Sequence, residues 1–347
     1  MTKKGKSYKP SVESIFMDYV GGILCGGYGT RLWPLTEEIP KPLLELKKGH
    51  TILDKQLMHF KTAGIKKVYL LAGYLHEKIY EKYQNLWNGL HIEYLVEEEP
   101  GGTLYALNNL FKTTDTNSVV MNGDIVSDFN LKEMLHHHRE GEMLMYVTPL
   151  VSPFGIVEVS DSKVISFKEK PVLPHYVNGG IYVISNSLRK YYLSHERGDA
   201  EKLAFPLIAR DGFLRGYKED GVFWQSVESA RDLAAVQLEY RNKKDKPWGY
   251  EKIIVSTDKY LTKELYVKKD ECTSFHYHER KDETLHVFKG EGYVEFEDHQ
   301  ISLTKNETVR IQPGTSHCVH AIENLILNEY STPHPKDTVR IRDVYER

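Results

Sequence analysis

Between positions 21 and 41 the chain places three glycines within four residues, Gly26, Gly27 and Gly29, then Thr30 and Arg31, and ten residues after the arginine a lysine, Lys41. Glycines without a Cβ let successive backbone N–H groups turn toward an anion and let a bulky ligand approach the main chain. Arg31 and Lys41 add the positive charge that a triphosphate undergoing transfer requires. The loop has neither the Gly-Lys-Ser/Thr closure of a Walker loop nor the spaced glycines of a dinucleotide fold. Farther on, the apolar run 118–121 ends in Asn122-Gly123-Asp124. A carboxylate at a strand end suits Mg²⁺, which is usually held by one or two carboxylates together with phosphates and water. The plainer alternative is Asp124 as a turn former. In the last third stand His276 and His278, then Glu283, then His317 in Pro-Gly-Thr-Ser-His. Residues two apart on a strand share a face, so the first two imidazoles can meet one metal while Glu283 and His317 reach it from neighbouring strands. Such a set accepts Zn, Mn, Fe or Ni and does not choose among them. His136, His137 and His138 are consecutive, would fan out about 100° apart on a helix, and read as exposed surface.

These residues need elements to position them. An apolar run through 21–25 predicts a strand leading into the glycine loop, and apolar spacing over 52–63, stopped by Gly64, predicts a helix. Strands are expected at 67–72, 92–96 and 118–121, with a second helix over 76–87. Asp128 is expected to cap a helix starting at Leu131. Strands alternating with helices imply a mainly parallel sheet covered on both faces, with ligands at the carboxyl ends of its strands. Shorter strands follow at 144–149, 155–159, 164–167 and 180–184. Residues 239–245 read as a charged, lysine-rich hinge, beyond which alternating apolar residues and frequent turns predict an all-β sandwich or barrel.

At 347 residues the chain exceeds one ordinary core, so two domains are expected. A net charge of -3, from 46 basic and 49 acidic residues, argues against nucleic acid or membrane as a partner. Three widely separated cysteines, Cys25, Cys272 and Cys318, offer no disulfide framework and suit a reducing compartment, with Cys25 packing in the first strand. With no spanning run and no signal peptide, a cytoplasmic address is expected.

The stretch from Gly26 to Pro42 resembles the signature of the sugar-1-phosphate nucleotidyltransferases, especially the mannose-1-phosphate guanylyltransferase branch. The resemblance implies that Glu97, three residues before Pro100, meets the nucleobase and that Gly102 lets the backbone approach it. A carboxylate only accepts hydrogen bonds, so Glu97 matches the adjacent N1–H and N2–H of guanine and opposes the carbonyls of uracil and thymine, with cytosine still possible through its exocyclic amine. Phe167-Lys168-Glu169-Lys170-Pro171 matches the family element whose lysine, here Lys170, meets the phosphate of the sugar 1-phosphate. Asn178 and Gly179 stand at the entry of the sugar-binding strand. The family's second magnesium carboxylate is replaced by Ser226, with Glu228 nearby. Either Asp124 holds the ion alone with phosphates and water, or Glu228 reaches in, or activity is weakened.

The His276/His278/Glu283/His317 set resembles the two cupin motifs. From Lys246 the likeness extends to the type II phosphomannose isomerase cupins, through Pro247-Trp248-Gly249 and the run 337–347. His276 stands where that family carries glutamine, and Thr284-Leu285 replace its His-Trp, which leaves the substrate open. The expectation is therefore a polar lead-in (1–17), an α/β nucleotidyltransferase domain of Rossmann-like type (18–240) and an all-β cupin barrel (241–347). It would transfer GMP from GTP to a sugar 1-phosphate with Mg²⁺, as a homo-oligomer. The cupin would be an isomerase or epimerase with a divalent transition metal. The alternative is CTP or UTP as donor and a cupin serving only for binding or dimerisation.

Overall fold

The computed structural model describes residues 18–345. The lead-in 1–17 and the last two residues of the 337–347 run lie outside them. The first unit is built on strands β1 (Tyr19–Cys25), β2 (Lys67–Ala72), β3 (Leu90–Val96), β4 (Asn117–Asn122), β5 (Met143–Val151), β6 (Val172–Ile184) and β7 (Leu214–Tyr217). They lie in the order β7-β5-β6-β4-β1-β2-β3, with Leu86–Trp87 at the far edge. β1 runs parallel to β2 and β4, β2 to β3, and β5 to β7, while β6 is antiparallel to both β4 and β5. The sheet is thus mixed, and parallel throughout the half that carries the glycine loop. Its central strands read as near-continuous apolar runs because helices cover both faces. On one face Leu57 and Phe60 of α1 (Ile52–Thr62) pack with Ile23, Val68 and Met121, and on the other Leu107 and Leu110 of α3 (Thr103–Thr113) pack with Val20, Leu71 and Val120.

α1 begins at a capping box in which Thr51 and Asp54 satisfy each other's backbone N–H groups. The second helix, α2 (His76–Tyr83), is shorter than its apolar spacing predicted. Gln84 adopts φ +50° and ends it, and Leu86–Trp87 turns back as an edge strand against β3. Asp128 does not cap the helix at Leu131–His136; Asn130 does, accepting from Glu133 N–H. Asp128 is instead buried, accepting from Tyr240 Oη at 2.6 Å, Lys243 Nζ at 2.6 Å and Lys55 Nζ at 2.8 Å. His136 and His137 are exposed as expected, but His138 is buried, bonding Tyr19 Oη and the Glu142 carbonyl, because the helix ends at His136 and the chain turns inward.

Beyond helix α4 (Ala230–Tyr240) two antiparallel sheets face each other. One holds, in spatial order, Lys243–Lys246, Gly249–Ser256, Leu261–Val267, Leu325–Ser331, Glu283–Lys289 and Thr308–Ile311; the other Gln300–Leu303, Gly292–Phe296, His317–Ala321, Phe275–His278 and Thr338–Arg342. Alternate residues such as Leu285, Val287, Val294, Val319 and Leu327 fill the space between them. The expected hinge at 239–245 is not a loose linker. Glu239 and Tyr240 complete α4, Lys243–Lys246 is an edge strand, and the Lys243 ammonium is fully buried between Asp128 and Glu239. Among the described residues no helix is long and apolar enough to cross a membrane.

Two candidate active sites

The first site is a pocket of about 320 Å³ at the carboxyl ends of β1 and β4. Gly26, Gly27, Gly29, Lys41, Glu97, Gly102 and Asp124 all line it. Backbone geometry dictates several of these residues. Gly29 has φ +65°, a conformation that disfavours any side chain. A Cβ on Gly123 would lie 2.4 Å from the Leu24 carbonyl, so only glycine lets the chain pass this close to β1 and present Asp124. Lys41 Nζ lies 2.7 Å from Asp124 Oδ2, the pocket's one direct pairing of opposite charges. Gly102 has φ +84°, and a Cβ there would strike the Gly198 carbonyl at 2.3 Å; contact with that loop alone already requires glycine.

Glu97 follows β3, its N–H donating to the Ala72 carbonyl at 2.8 Å. It is half-buried while Glu98 and Glu99 are exposed, and its carboxylate accepts from Gly101 N–H at 3.2 Å. Burial pushes the Glu97 carboxyl above the ordinary range, outweighing the Gly101 N–H and Arg197.

Other residues singled out from the sequence do not line this pocket. Thr30 is exposed, and the Arg31 guanidinium is ion-paired to Glu228. The Glu228 carboxylate is engaged by that pair, the Asp124 carbonyl accepts from Val227 N–H at 2.9 Å, and Ser226 pairs with Ile125 in a two-stranded ribbon. Lys170 is exposed, with φ +44°, just after the hairpin Ile156–Ser160/Lys163–Lys168. Asn178 is occupied internally, accepting from Gly180 N–H at 2.9 Å and donating to Tyr182 Oη at 2.8 Å. The Gly179 carbonyl accepts from Trp224 Nε1. Gly180 packs against Asn122, so this strand entry abuts the pocket wall. Asn122, which sequence reasoning noted only as a neighbour of Asp124, lines the pocket with a buried Oδ1 that has no partner.

The second site is a cavity of about 260 Å³ between the two β-sheets. His276 and His278 lie on one strand, and His317 lies directly opposite His276 on the next. Their ring nitrogens gather within 4.8 Å of one another, and Glu283 Oε1 stands 3.0 Å from His317 Nε2 and 3.7 Å from His278 Nε2. Each Nδ1 faces an acceptor: the Ser274 carbonyl for His276 (2.7 Å), Asp337 Oδ1 for His278 (3.1 Å) and the Thr315 carbonyl for His317 (3.0 Å). Those contacts favour the Nδ1–H tautomer and aim all three Nε2 atoms at the cavity, where His317 Nε2 meets the Glu283 carboxylate in the absence of an ion. His278 Nε2 is buried without a hydrogen-bond partner, as a metal ligand awaiting its ion would be. Burial, then His317, pulls the His276 imidazole down to about 3, and burial also lowers His278, so both rings stay neutral. Glu283 is buried, which alone would raise it, but His317 and Lys281 hold it well below the carboxylate range. The donor set fits a divalent transition ion. Lys244, Lys246, Lys263, Lys281, Lys336 and Arg340 also line the cavity, against Glu251, Glu283 and Glu329. Sequence reasoning missed Lys281, which sits between two recognised ligands, and Lys263, which gives no local signal.

Both parts of the chain have relatives among known proteins. Residues 20–243 match the family Nucleotidyl transferase and residues 235–329 the family Mannose-6-phosphate isomerase C-terminal. The chain is 31% identical over 228 residues to a mannose-1-phosphate guanyltransferase of Hypocrea jecorina, covering 61% of this chain and 62% of that protein. It is 30% identical over 256 residues to one of Yarrowia lipolytica, covering 70% and 69%. Among solved structures, a putative glucose-1-phosphate thymidylyltransferase from Bacillus anthracis superposes with TM-score 0.54 at 20% identity, over 66% of this chain and 97% of that one. The chain thus spans about three fifths of the length of the first curated relative.

Proposed function

Starting from the premise that this chain belongs to the nucleotidyl transferase family, we propose that it transfers a nucleoside monophosphate, GMP from GTP, to a sugar 1-phosphate and releases pyrophosphate. The observation that carries this reading is the Lys41–Asp124 pair, set in a glycine-walled pocket that Glu97 also lines. An oxygen of the sugar phosphate attacks the α-phosphorus in line as the bond to pyrophosphate breaks, so the protein must chiefly hold two polyanions together. Lys41 offsets phosphate charge, the glycine loop supplies N–H donors, and Glu97 accepts from the guanine edge. Asp124 fits Mg²⁺: one carboxylate oxygen meets Lys41 and the other remains for the ion. Mg²⁺ bound there would neutralise charge on the phosphates. Arg31 and Lys170 belong to this reading as residues that approach the substrates from the rim, Lys170 toward the sugar phosphate, with Asn178 and Gly179 lining the sugar side.

For the β cavity, the cationic lining and the neutral imidazoles favour an anionic sugar, a sugar phosphate or nucleotide sugar, isomerised or epimerised beside a divalent transition metal. The relatives named mannose-1-phosphate guanyltransferase favour mannose 1-phosphate as first acceptor to try. A cytoplasmic setting and a homo-oligomer complete the reading. The test is pyrophosphate release from each of the four NTPs with a panel of sugar 1-phosphates. GTP turnover is expected; preference for CTP at matched concentrations would favour the cytosine amine as the partner of Glu97, and no release with any pair would overturn the reading.

A further inference from the structure

The strand His317–Ala321 has two faces with different chemistry. Val319 and Ala321 point into the core between the sheets and His317 into the cavity, so Cys318 and His320 project from the opposite, outer face. The segment before Phe275 is zipped against that strand by Thr273 N–H to the Val319 carbonyl (2.9 Å) and Ala321 N–H to the Glu271 carbonyl (3.0 Å). This register sets Cys272 directly across from His320. The Sγ atoms of Cys272 and Cys318 and a ring nitrogen of His320 consequently lie within 4.8 Å of one another. Donors around a tetrahedral zinc, with bonds of about 2.0–2.3 Å, are separated by a little under 4 Å, so the set needs only small side-chain adjustment.

We propose that Cys272, Cys318 and His320 form a second metal site, on the outer face of the β unit, taking a thiolate-preferring divalent ion of the zinc type. The surroundings of His320 are those of a ligand. Its Nε2 lies 2.7 Å from Glu295 Oε2, Glu295 is held through its other oxygen by Arg342 at 3.0 Å, and the imidazole stacks on Tyr293. Glu295 therefore keeps the proton on Nε2 and leaves the Nδ1 lone pair for an ion, the carboxylate–histidine–metal arrangement. Cys318 is buried and donates to the Thr273 carbonyl at 3.0 Å, whereas Cys272 is half-buried and gives the ion its approach. On binding, each thiol loses its proton to solvent as its sulfur–metal bond forms, two thiolates balance the dication, and water takes the fourth position. No oxidation state changes. Two sulfurs and one nitrogen make this site softer than the three imidazoles and carboxylate in the cavity, so the two sites should differ in metal preference. A Cys272–Cys318 disulfide is the competing use of the same sulfurs, which lie close enough to interact directly, and the experiment separates the two outcomes.

The experiment uses the full chain, stripped with chelator under reducing conditions and titrated with Co²⁺. Two equivalents are expected to bind, one of them bringing an intense thiolate-to-cobalt charge-transfer band in the near ultraviolet. Cys272→Ser/Cys318→Ser should lose that band and one equivalent, while His276→Ala/His278→Ala should keep the band. His320→Ala should weaken the affinity read from the band about tenfold or more. A cobalt-loaded wild-type protein without the band overturns the proposal, as does a rate of Cys272 modification by a thiol reagent that Zn²⁺ leaves unchanged. Recovery of a Cys272–Cys318 disulfide from reduced, metal-supplied protein also overturns it. The first readout is made on the unaltered chain and does not depend on any variant folding.

Discussion

The two cavities are built in opposite ways. The pocket of the α/β unit is walled by glycines and apolar side chains and carries few charges, chiefly Lys41, Asp124 and Glu97. The cavity of the β unit is crowded with ionisable side chains on antiparallel strands, already hydrogen-bonded to one another. A pocket built from main chain leaves its strength to the ligand and its ion, and so depends on a few irreplaceable side chains. A cavity built from mutually paired side chains is preorganised before anything binds, and damage to one member is shared by its neighbours.

Asp124→Asn tests the concentrated side of this contrast most severely. With the only pocket carboxylate that pairs to Lys41 neutralised, pyrophosphate release should fall roughly a thousandfold, about 4 kcal/mol in the barrier, while the transition-metal content of the β unit stays constant. Retention of activity within tenfold would mean that the charge is distributed here too. In the β unit, His278→Ala/His317→Ala should remove one equivalent of metal by elemental analysis, whereas Asp337→Asn, which touches the metal set only through His278 Nδ1, should weaken metal affinity by about 10–100-fold. Equal losses from both changes would show that the cavity has no graded support. Glu97→Gln should cost GTP about 1.5–3 kcal/mol in kcat/KM and relax discrimination against UTP; unchanged base preference would take Glu97 out of base recognition. Lys170→Ala should raise KM for the sugar phosphate, leaving NTP affinity measured by calorimetry nearly unaltered, and an equal loss of NTP affinity would sink its assignment to the acceptor.

The smallest effect concerns pH and falls between the units. Burial would raise Asp128 and Asp245, but Lys55 and Lys243 beside Asp128, and Lys55 and His50 beside Asp245, hold both well below the usual carboxylate range. Their folded values are depressed, so their contribution is complete above the unfolded value of about 4 and is lost as pH falls below it. Thermal melts should therefore show stability dropping below about pH 4, with a shallower drop in Asp128→Asn/Lys243→Met. Identical acid profiles would show that the cluster carries no such dependence.

What could be read without coordinates followed from locality. Gly26, Gly27 and Gly29 announce a turn at a strand end because the backbone demand is contained in the residues themselves, and His276 and His278 share a face because a strand has a period of two. Asp128 looked like a cap because the residues that claim it, Lys55, Tyr240 and Lys243, lie far along the chain and none is signalled near it. Apolar spacing predicts a helix through 87 because it continues into an edge strand, and only the positive φ of Gln84 marks the break. The family resemblance gives Gly102 a role in ligand approach, and its contact with Gly198, which no local pattern signals, separately requires a glycine. Cys272 and Cys318 gave no pattern, since they meet only through the register of two strands.

The edge strand Lys243–Lys246 belongs to two bodies at once. Its backbone pairs with Gly249–Ser256 of the barrel, while Lys243 and Asp245 reach back to Asp128 and Lys55 of the α/β unit. No scissors can therefore separate the halves cleanly. A fragment ending at Tyr240 would open the Asp128–Lys55 pair to solvent, and one beginning at Lys243 would carry off a lysine whose ammonium has no water to turn to in the intact chain. Transplanting either half into a chimera should succeed only when residues 243–246 and their partners travel together, so the seam behaves as a shared keystone between the two crafts of this chain.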